Sequence, residues 1–256
     1  MWLSRARGLL WVAALLAGLL AAPAGAQDGT AADAFTPAQE DAIKALVRDY
    51  LMANPEVLIE AVQAYRERQQ QMQMQQVDEV LTSRRDELDN DPDSPVIGNP
   101  DGDVVVVEFF DYRCPYCIRV AQSLREVVEE DGNIRMVLKE FPILGPDSVV
   151  AARMALAAEK QGKYEDLHFA LMSVSGKLTE DGAFKIAEQV GLDMDQLRSD
   201  MEDPAIEEML QRNFALAQAL QINGTPAFVI GDEVVRGAVD MRTLRQIVGK
   251  ARAKSS

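Results

Sequence analysis

Seven consecutive residues, Val104-Val105-Val106-Val107-Glu108-Phe109-Phe110, leave this chain little choice of architecture. The run is apolar throughout except for one carboxylate, whereas a strand with one wet face would alternate. Such a strand must be covered on both faces, so its sheet needs helices above and below. A helical pattern with apolar Val120, Leu124, Val127 and Val128 follows at once, then a Gly132-Asn133 turn and a second apolar strand over 134–141. Strand, helix and strand in that order form a β-α-β unit and predict parallel neighbours in an α/β fold.

The rest of the chain divides by pattern. Five helical stretches are expected at 149–161, 164–173, 183–189, 194–201 and 205–220, punctuated by Gly162, Gly176, Gly182 and Gly191. A strand over 225–230, a turn at Gly231-Asp232-Glu233, a returning strand over 234–236 and a helix over 241–252 complete the carboxyl-terminal part. Residues 89–103, rich in Asp, Asn, Pro and Gly, read as a boundary. Upstream, Thr36 as N-cap, Pro37 at N1 and Gln39 in a capping box open a helix with apolar Ile43, Leu46, Val47, Tyr50 and Leu51. Asn54 is expected to cap the next helix, which runs to about Leu88. Its seam of Leu58, Val62, Tyr65 and Met72 slips before Val77, Leu81 and Leu88. The tract 69–76, all Gln and Met, reads as a solvated helix or a flexible neck. Stripes this narrow cannot be buried alone, so they pack on the chain or on copies of it.

The first residues carry an address. Arg5 and Arg7 precede an uncharged apolar run from Leu9 to Ala22, and Ala24-Gly25-Ala26 ends in small residues. This is the pattern of a secretory leader cleaved after Ala26, with 27–34 disordered behind it. A retained anchor is the alternative, but the run is shorter than the roughly 20 residues of a spanning helix. The formal charge of −15 excludes a nucleic-acid partner, because no basic patch is present to neutralise phosphates.

Only two cysteines occur, in Cys114-Pro115-Tyr116-Cys117. A zinc site would need two more ligands, and His168 is the one histidine; it reads as an ordinary, partly exposed helix residue. A bridge closing so short a loop staples almost nothing. Thiol–disulfide exchange, by contrast, needs an ionised sulfur, a second thiol one turn away and access for a substrate. Cys114 at a helix mouth meets free N–H groups and the positive end of the macrodipole, and Pro115 suits N1. Cys114 is therefore the expected exposed, attacking sulfur and Cys117 the buried, resolving one. Tyr116 adds no charged donor, so the Cys114 thiolate is expected in the upper part of the range of about 3.5 to 7.5 for activated cysteines. No cofactor is implied beyond a redox-active Cys114–Cys117 disulfide. Two adjacent thiolates would also suit Cu(I), and Met72 and Met74 raise the same alternative.

Two further features bear on this site. Glu108 is either a buried carboxylate that relays the Cys117 proton or a solvent-facing strand end, and Lys139 on the neighbouring strand is a candidate partner for it. Pro226, after Gly224-Thr225, is a candidate for a cis peptide bond at a strand entry.

The segment from Glu108 to Cys117 resembles the active-site segment of the DsbA-like branch of the thioredoxin superfamily. Residues 141–146 (Phe-Pro-Ile-Leu-Gly-Pro) and 224–228 (Gly-Thr-Pro-Ala-Phe) resemble that branch's later signatures, and the likeness covers about 96–248. It implies a thioredoxin fold over 91–256 with a helical insertion at about 146–213, a cis Pro226 facing the cysteines, and Thr225 contacting substrate backbone. Residues 49–58 are similar to the amino-terminal segment of the suppressor-of-copper-sensitivity (ScsC) family. Some of its members are trimeric disulfide isomerases, and others lack most of the stalk and are monomers. The resemblance implies an α-helical stalk over 27–90, a homotrimer formed through 36–90, and a periplasmic location. It further implies unfolded or misfolded exported proteins as substrates and a membrane redox partner of the DsbD/ScsB type. A monomeric dithiol oxidase with a DsbB-type partner, and a copper-tolerance protein, are the alternatives.

Overall fold

The computed structural model describes residues 35–255. The leader expected over 1–26, its cleavage site and the stretch 27–34 lie outside the described residues. The chain divides after Ala64 into two compact units.

In the first unit, α1 (Pro37–Ala53) opens as its sequence predicts. Thr36 accepts a hydrogen bond from the Gln39 N–H, and its own N–H donates to Gln39 Oε1 at 2.8 Å. The helix buries none of its residues, and Leu46 and Tyr50 are 70% and 56% exposed. Asn54 does not cap the following helix. Its N–H and its Nδ2 both donate to the Tyr50 carbonyl, at 2.9 and 2.8 Å, so it closes α1 instead. The reason is local: the last carbonyls of a helix lack intrahelical donors, and an Asn in that place supplies two.

Helix α2 (Glu56–Ser83) is uninterrupted, so the Gln/Met tract is helix. Leu58, Val62, Tyr65 and Met72 are exposed, whereas Leu81 is buried and Val77 and Val80 pack beside it. The slip in the apolar count thus falls where the helix changes from an uncovered seam to core packing. A short helix, α3 (Arg85–Asp89), buries Leu88 completely.

The second unit is built on a five-stranded sheet: β1 (Val96–Gly98), β2 (Val104–Phe110), β3 (Ile134–Glu140), β4 (Ala227–Ile230) and β5 (Glu233–Arg236). Their order is β1-β3-β2-β4-β5, with β2 and β3 parallel and the other pairings antiparallel. β1 lies within the segment read from sequence as a boundary. Three residues are too few to show a pattern, and its Gly98, at φ +78°, is demanded by space: a Cβ there would come within 2.4 Å of Val128 Cγ1.

Helix α4 (Pro115–Asp131) connects β2 to β3. Helices α5 (Pro146–Glu159), α6 (Tyr164–Met172), α7 (Glu180–Val190), α8 (Met194–Met201) and α9 (Pro204–Ala219) follow, and α10 (Met241–Ser255) ends the described chain. The sheet separates two cores. Val106, Phe110, Met136 and Leu138 face α4, α10 and most of the insertion, while Val107, Phe109 and Val137 face Leu81, Leu88 and Leu216. The continuous apolar run is therefore covered on both faces, with every second residue serving each core. No helix among the described residues is long and apolar enough to cross a membrane.

Candidate active site

Strand β2 ends at Phe110 and α4 begins at Pro115, so the four residues between them place Cys114 at the mouth of α4. Cys114 is the N-cap, with extended backbone (φ −76°, ψ 116°), and Pro115 takes a position where no N–H is needed. Cys117 lies one turn on, directed into the core and 1% exposed. The Cys117 thiol donates to the Cys114 sulfur, which together with the Thr225 side chain and the N–H groups of Cys117 and Tyr116 brings the Cys114 thiol down to about 5. Burial drives Cys117 strongly upward, and its bond to Cys114 adds to that. The two sulfurs are thus unequal: one is ready to ionise and the other is held protonated.

The expectation of an exposed Cys114 is corrected. The residue is 3% exposed, because the Thr225-Pro226 turn covers it: the sulfur lies 3.2 Å from the Thr225 carbonyl oxygen. The Thr225–Pro226 bond is cis. The exposed parts of the motif are Pro115 and Tyr116, with the Arg119 guanidinium 5.1 Å from the Tyr116 ring centre. A groove of about 560 Å³ runs beside the motif, bounded by Pro115, Ile118, Phe169 and Met172.

Glu108 is 3% exposed and lies on the face of β2 that looks toward α4. Burial, followed by the neighbouring Cys114 charge, raises its carboxyl to about 8, and its own charge acts on Cys117. Glu108 is therefore buried and not a solvent-facing strand end. Lys139 does not pair with it. In the parallel register Glu108 stands opposite Leu138, so Lys139 projects from the other face of the sheet. There its Nζ donates to the Glu87 carbonyl at 2.8 Å, Asp91 Oδ2 at 2.7 Å and Ser94 Oγ at 2.8 Å. It fastens the α3–β1 segment to the back of the sheet.

His168 is a second correction. It is 2% exposed rather than partly exposed, enclosed by Phe110, Tyr112, Tyr164 and Phe169. Burial pushes it down to about 3, which leaves a neutral ring. Its Nδ1 lies 3.1 Å from Tyr112 Oη. Sequence reading also passed over Asp111, whose carboxylate accepts from the Arg113 and Leu144 N–H groups and from Ser148 Oγ, at 2.7, 2.9 and 2.8 Å. These bonds shape the turn before Cys114. An acidic residue within the link from strand to motif was the one available signal. Among the described residues no group of three or more His, Cys, Asp and Glu is arranged to hold a metal ion.

Residues 105–249 match the model of the DSBA-like thioredoxin domain. The chain belongs to the DsbA-like thioredoxin family. Residues 39–71 match the copper resistance protein ScsC N-terminal domain. A thioredoxin-like oxidoreductase of Silicibacter pomeroyi is 53% identical, covering 66% of this chain and 98% of that structure with a TM-score of 0.65. Proteus mirabilis ScsC in a transitional conformation is 34% identical over 86% of this chain and 100% of its own, with a TM-score of 0.64. The Na(+)/H(+) antiporter NhaA 1 of Salinispora arenicola is 30% identical over 63% of this chain, and the chain spans about a quarter (25%) of that relative's length. The chain has the thioredoxin-like fold of that family.

Proposed function

We propose that this DsbA-like protein is an exported, periplasmic disulfide isomerase or reductase acting on misfolded exported proteins. The observation that carries the reading is the unequal pair of sulfurs at the mouth of α4, with Glu108 behind them. Cys114 thiolate attacks a substrate disulfide; the Cys114–substrate bond forms, the substrate bond breaks, and a substrate thiolate leaves. For isomerisation, that thiolate or another in the same substrate attacks the mixed disulfide and regenerates Cys114, with no net electron transfer. For reduction, Glu108 first ionises once the mixed disulfide has removed the Cys114 charge that helped hold its proton; its carboxylate then takes the Cys117 proton as Cys117 attacks Cys114, forming the Cys114–Cys117 disulfide and a dithiol substrate. A membrane dithiol donor of the DsbD/ScsB type then restores the cysteines. Thr225 and Pro226 cover the sulfur where substrate backbone would pair.

Tyr116 and Thr225, which resemble isomerase members rather than the strong oxidase DsbA with its histidine and valine at those places, and the uncovered apolar seam support the isomerase direction. The seam is assigned to a homotrimer, and the leader-like residues 1–26 support export. Leu81 and Leu88 are buried in the second unit, so within 36–90 the exposed seam that supports assembly is that of Leu58, Val62, Tyr65 and Met72. The test is solution mass with activity. The mature protein is expected at three times its chain mass, and deletion of 27–64 is expected to yield monomers that no longer unscramble ribonuclease yet still exchange thiols. A full-length monomer that oxidises reduced ribonuclease would establish the dithiol oxidase instead. Retention of Cu(I) at neutral pH, lost in Cys114→Ser, with no exchange activity would establish the copper reading.

Glu108 supplies a pH prediction. Its folded value of about 8 stands above its ordinary 4.5. The folded chain therefore keeps a proton that the unfolded chain has released. The Glu108 contribution to stability is therefore fully present below 4.5 and is lost as pH rises toward 8. In the disulfide form, where neither sulfur titrates, Glu108→Gln is expected to flatten this decline in urea midpoints. A wild-type midpoint that stays level from pH 5 to about 8 would count against a buried, neutral Glu108.

A further inference from the structure

A second buried polar cluster lies beside the active-site turn. Glu140 ends β3, is 1% exposed, and accepts through one oxygen, Oε1, from both Tyr112 Oη and Tyr164 Oη at 2.9 Å. His168 Nδ1 lies 3.1 Å from the same Tyr112 hydroxyl. The other carboxyl oxygen, Oε2, is buried with no hydrogen-bond partner. Tyr112 is two residues before Cys114, within the turn closed by the Cys114 N–H on the Asp111 carbonyl at 3.0 Å. Tyr164 and His168 belong to α6, in the helical insertion. One carboxyl oxygen therefore joins the sheet, the turn that leads to Cys114 and the insertion.

Buried polar groups are costly unless they are satisfied, and the two tyrosine hydroxyls satisfy Glu140 Oε1. Here those bonds hold the turn. The Cys114 sulfur depends on the N–H groups of Tyr116 and Cys117 and on Thr225, so a small displacement of its backbone weakens all of them together.

We propose that Glu140 is a positioning residue for the Cys114 sulfur: through Tyr112 it fixes the turn that delivers Cys114 to the mouth of α4, and through Tyr164 it ties that turn to the helical insertion. The proposal rests on the reading of Cys114 as the ionised, attacking thiol. The titratable groups acting on Glu140 are Tyr112 and Asp111 from the turn, Glu108 from β2 and Tyr164 from α6, with His168 of α6 behind the Tyr112 hydroxyl. Burial holds the Glu140 carboxyl well above the ordinary range, so it acts as a neutral acceptor rather than as a fixed charge.

The test is the ultraviolet absorbance of the thiolate against pH in the full-length dithiol protein, with the equilibrium against glutathione measured beside it. Tyr112→Phe and Glu140→Leu are expected to raise the Cys114 value by about half to one pH unit, which is about three- to ten-fold less thiolate at a pH below both values. Both should make the disulfide form correspondingly easier to keep. Glu140→Gln retains an oxygen that both tyrosines can reach, so it should titrate like wild type. Should Glu140→Leu or Tyr112→Phe fail to fold, Tyr164→Phe, which removes one bond to the same oxygen, is expected to shift the value in the same direction. A folded Tyr112→Phe with an unchanged value and potential overturns the proposal. So does a Glu140→Gln that shifts as far as Glu140→Leu, because charge and not the bond to Tyr112 would then set the sulfur. If wild-type Cys114 itself titrates as an ordinary thiol, the underlying reading fails; a low wild-type value unchanged in Tyr112→Phe removes this proposal alone.

Discussion

Cys114→Ser is expected to abolish thiol–disulfide exchange while leaving the fold intact, a loss of about a thousand-fold or more, or at least about 4 kcal/mol in the barrier. The serine oxygen is close in size to the sulfur and suits the N-cap position, so α4 should start as before. It cannot ionise near neutrality or form the covalent intermediate. Cys117→Ser should behave differently. The attacking sulfur remains, and its hydroxyl neighbour can still donate to the thiolate, but nothing resolves the mixed disulfide. Substrate should therefore stay attached to Cys114 and be recovered as a covalent adduct on a non-reducing gel. Equal residual activity in the two variants, or adducts in Cys114→Ser, would overturn the division of roles between the sulfurs. Access is the further point. Since Cys114 is 3% exposed beneath Thr225, alkylation should be slower than its low thiol value alone implies, and faster in Thr225→Gly.

The second large effect concerns stability, on the opposite face of the sheet. Lys139→Met should destabilise the protein by about 3 to 5 kcal/mol, the usual cost of removing one partner from a buried ion pair. The ammonium is 1% exposed, and its three donors are met by the Glu87 carbonyl, Asp91 and Ser94. Methionine keeps the packing of the stem but leaves the Asp91 carboxylate, 12% exposed, without its cation. Asp91→Asn in the same chain should recover part of the loss by removing the stranded charge. Urea midpoints at constant slope give the measurement, and a change under about 1 kcal/mol would mean that Lys139 is solvated and not a fastening. Because Glu108 stands on the other face, exchange rates corrected for the folded fraction should be unchanged in Lys139→Met.

Much of this molecule was legible residue by residue, and the reasons are local. Val104 to Phe110 reads as a strand buried on both faces because no other element conceals that run, and the structure places β2 on those same residues. Thr36 and Gln39 form their capping box because a cap is decided within four residues. Cys114 and Cys117 need only a helix start and one turn to become unequal. Pro226, by contrast, was only a candidate for a cis bond, since the choice of isomer is made by what packs around it.

The misreadings share one physical cause. Strand adjacency pairs Lys139 with Glu108, but a parallel register off by one residue sends a side chain to the opposite face. His168 has no local signature of burial; its cage is assembled from Phe110 and Tyr112 on one side and from its own helix, α6, on the other. Asn54 sits between two helix ends, and geometry alone chose the earlier one. Apolar periodicity, capping groups and the spacing of the two sulfurs settled which elements form and where the chemistry is carried, because each acts within a few residues along the chain. Which face Lys139 occupies, what covers Cys114, and how Glu140 gathers two tyrosines beside a histidine were decided only when distant segments met, since burial and register are properties of the packed whole.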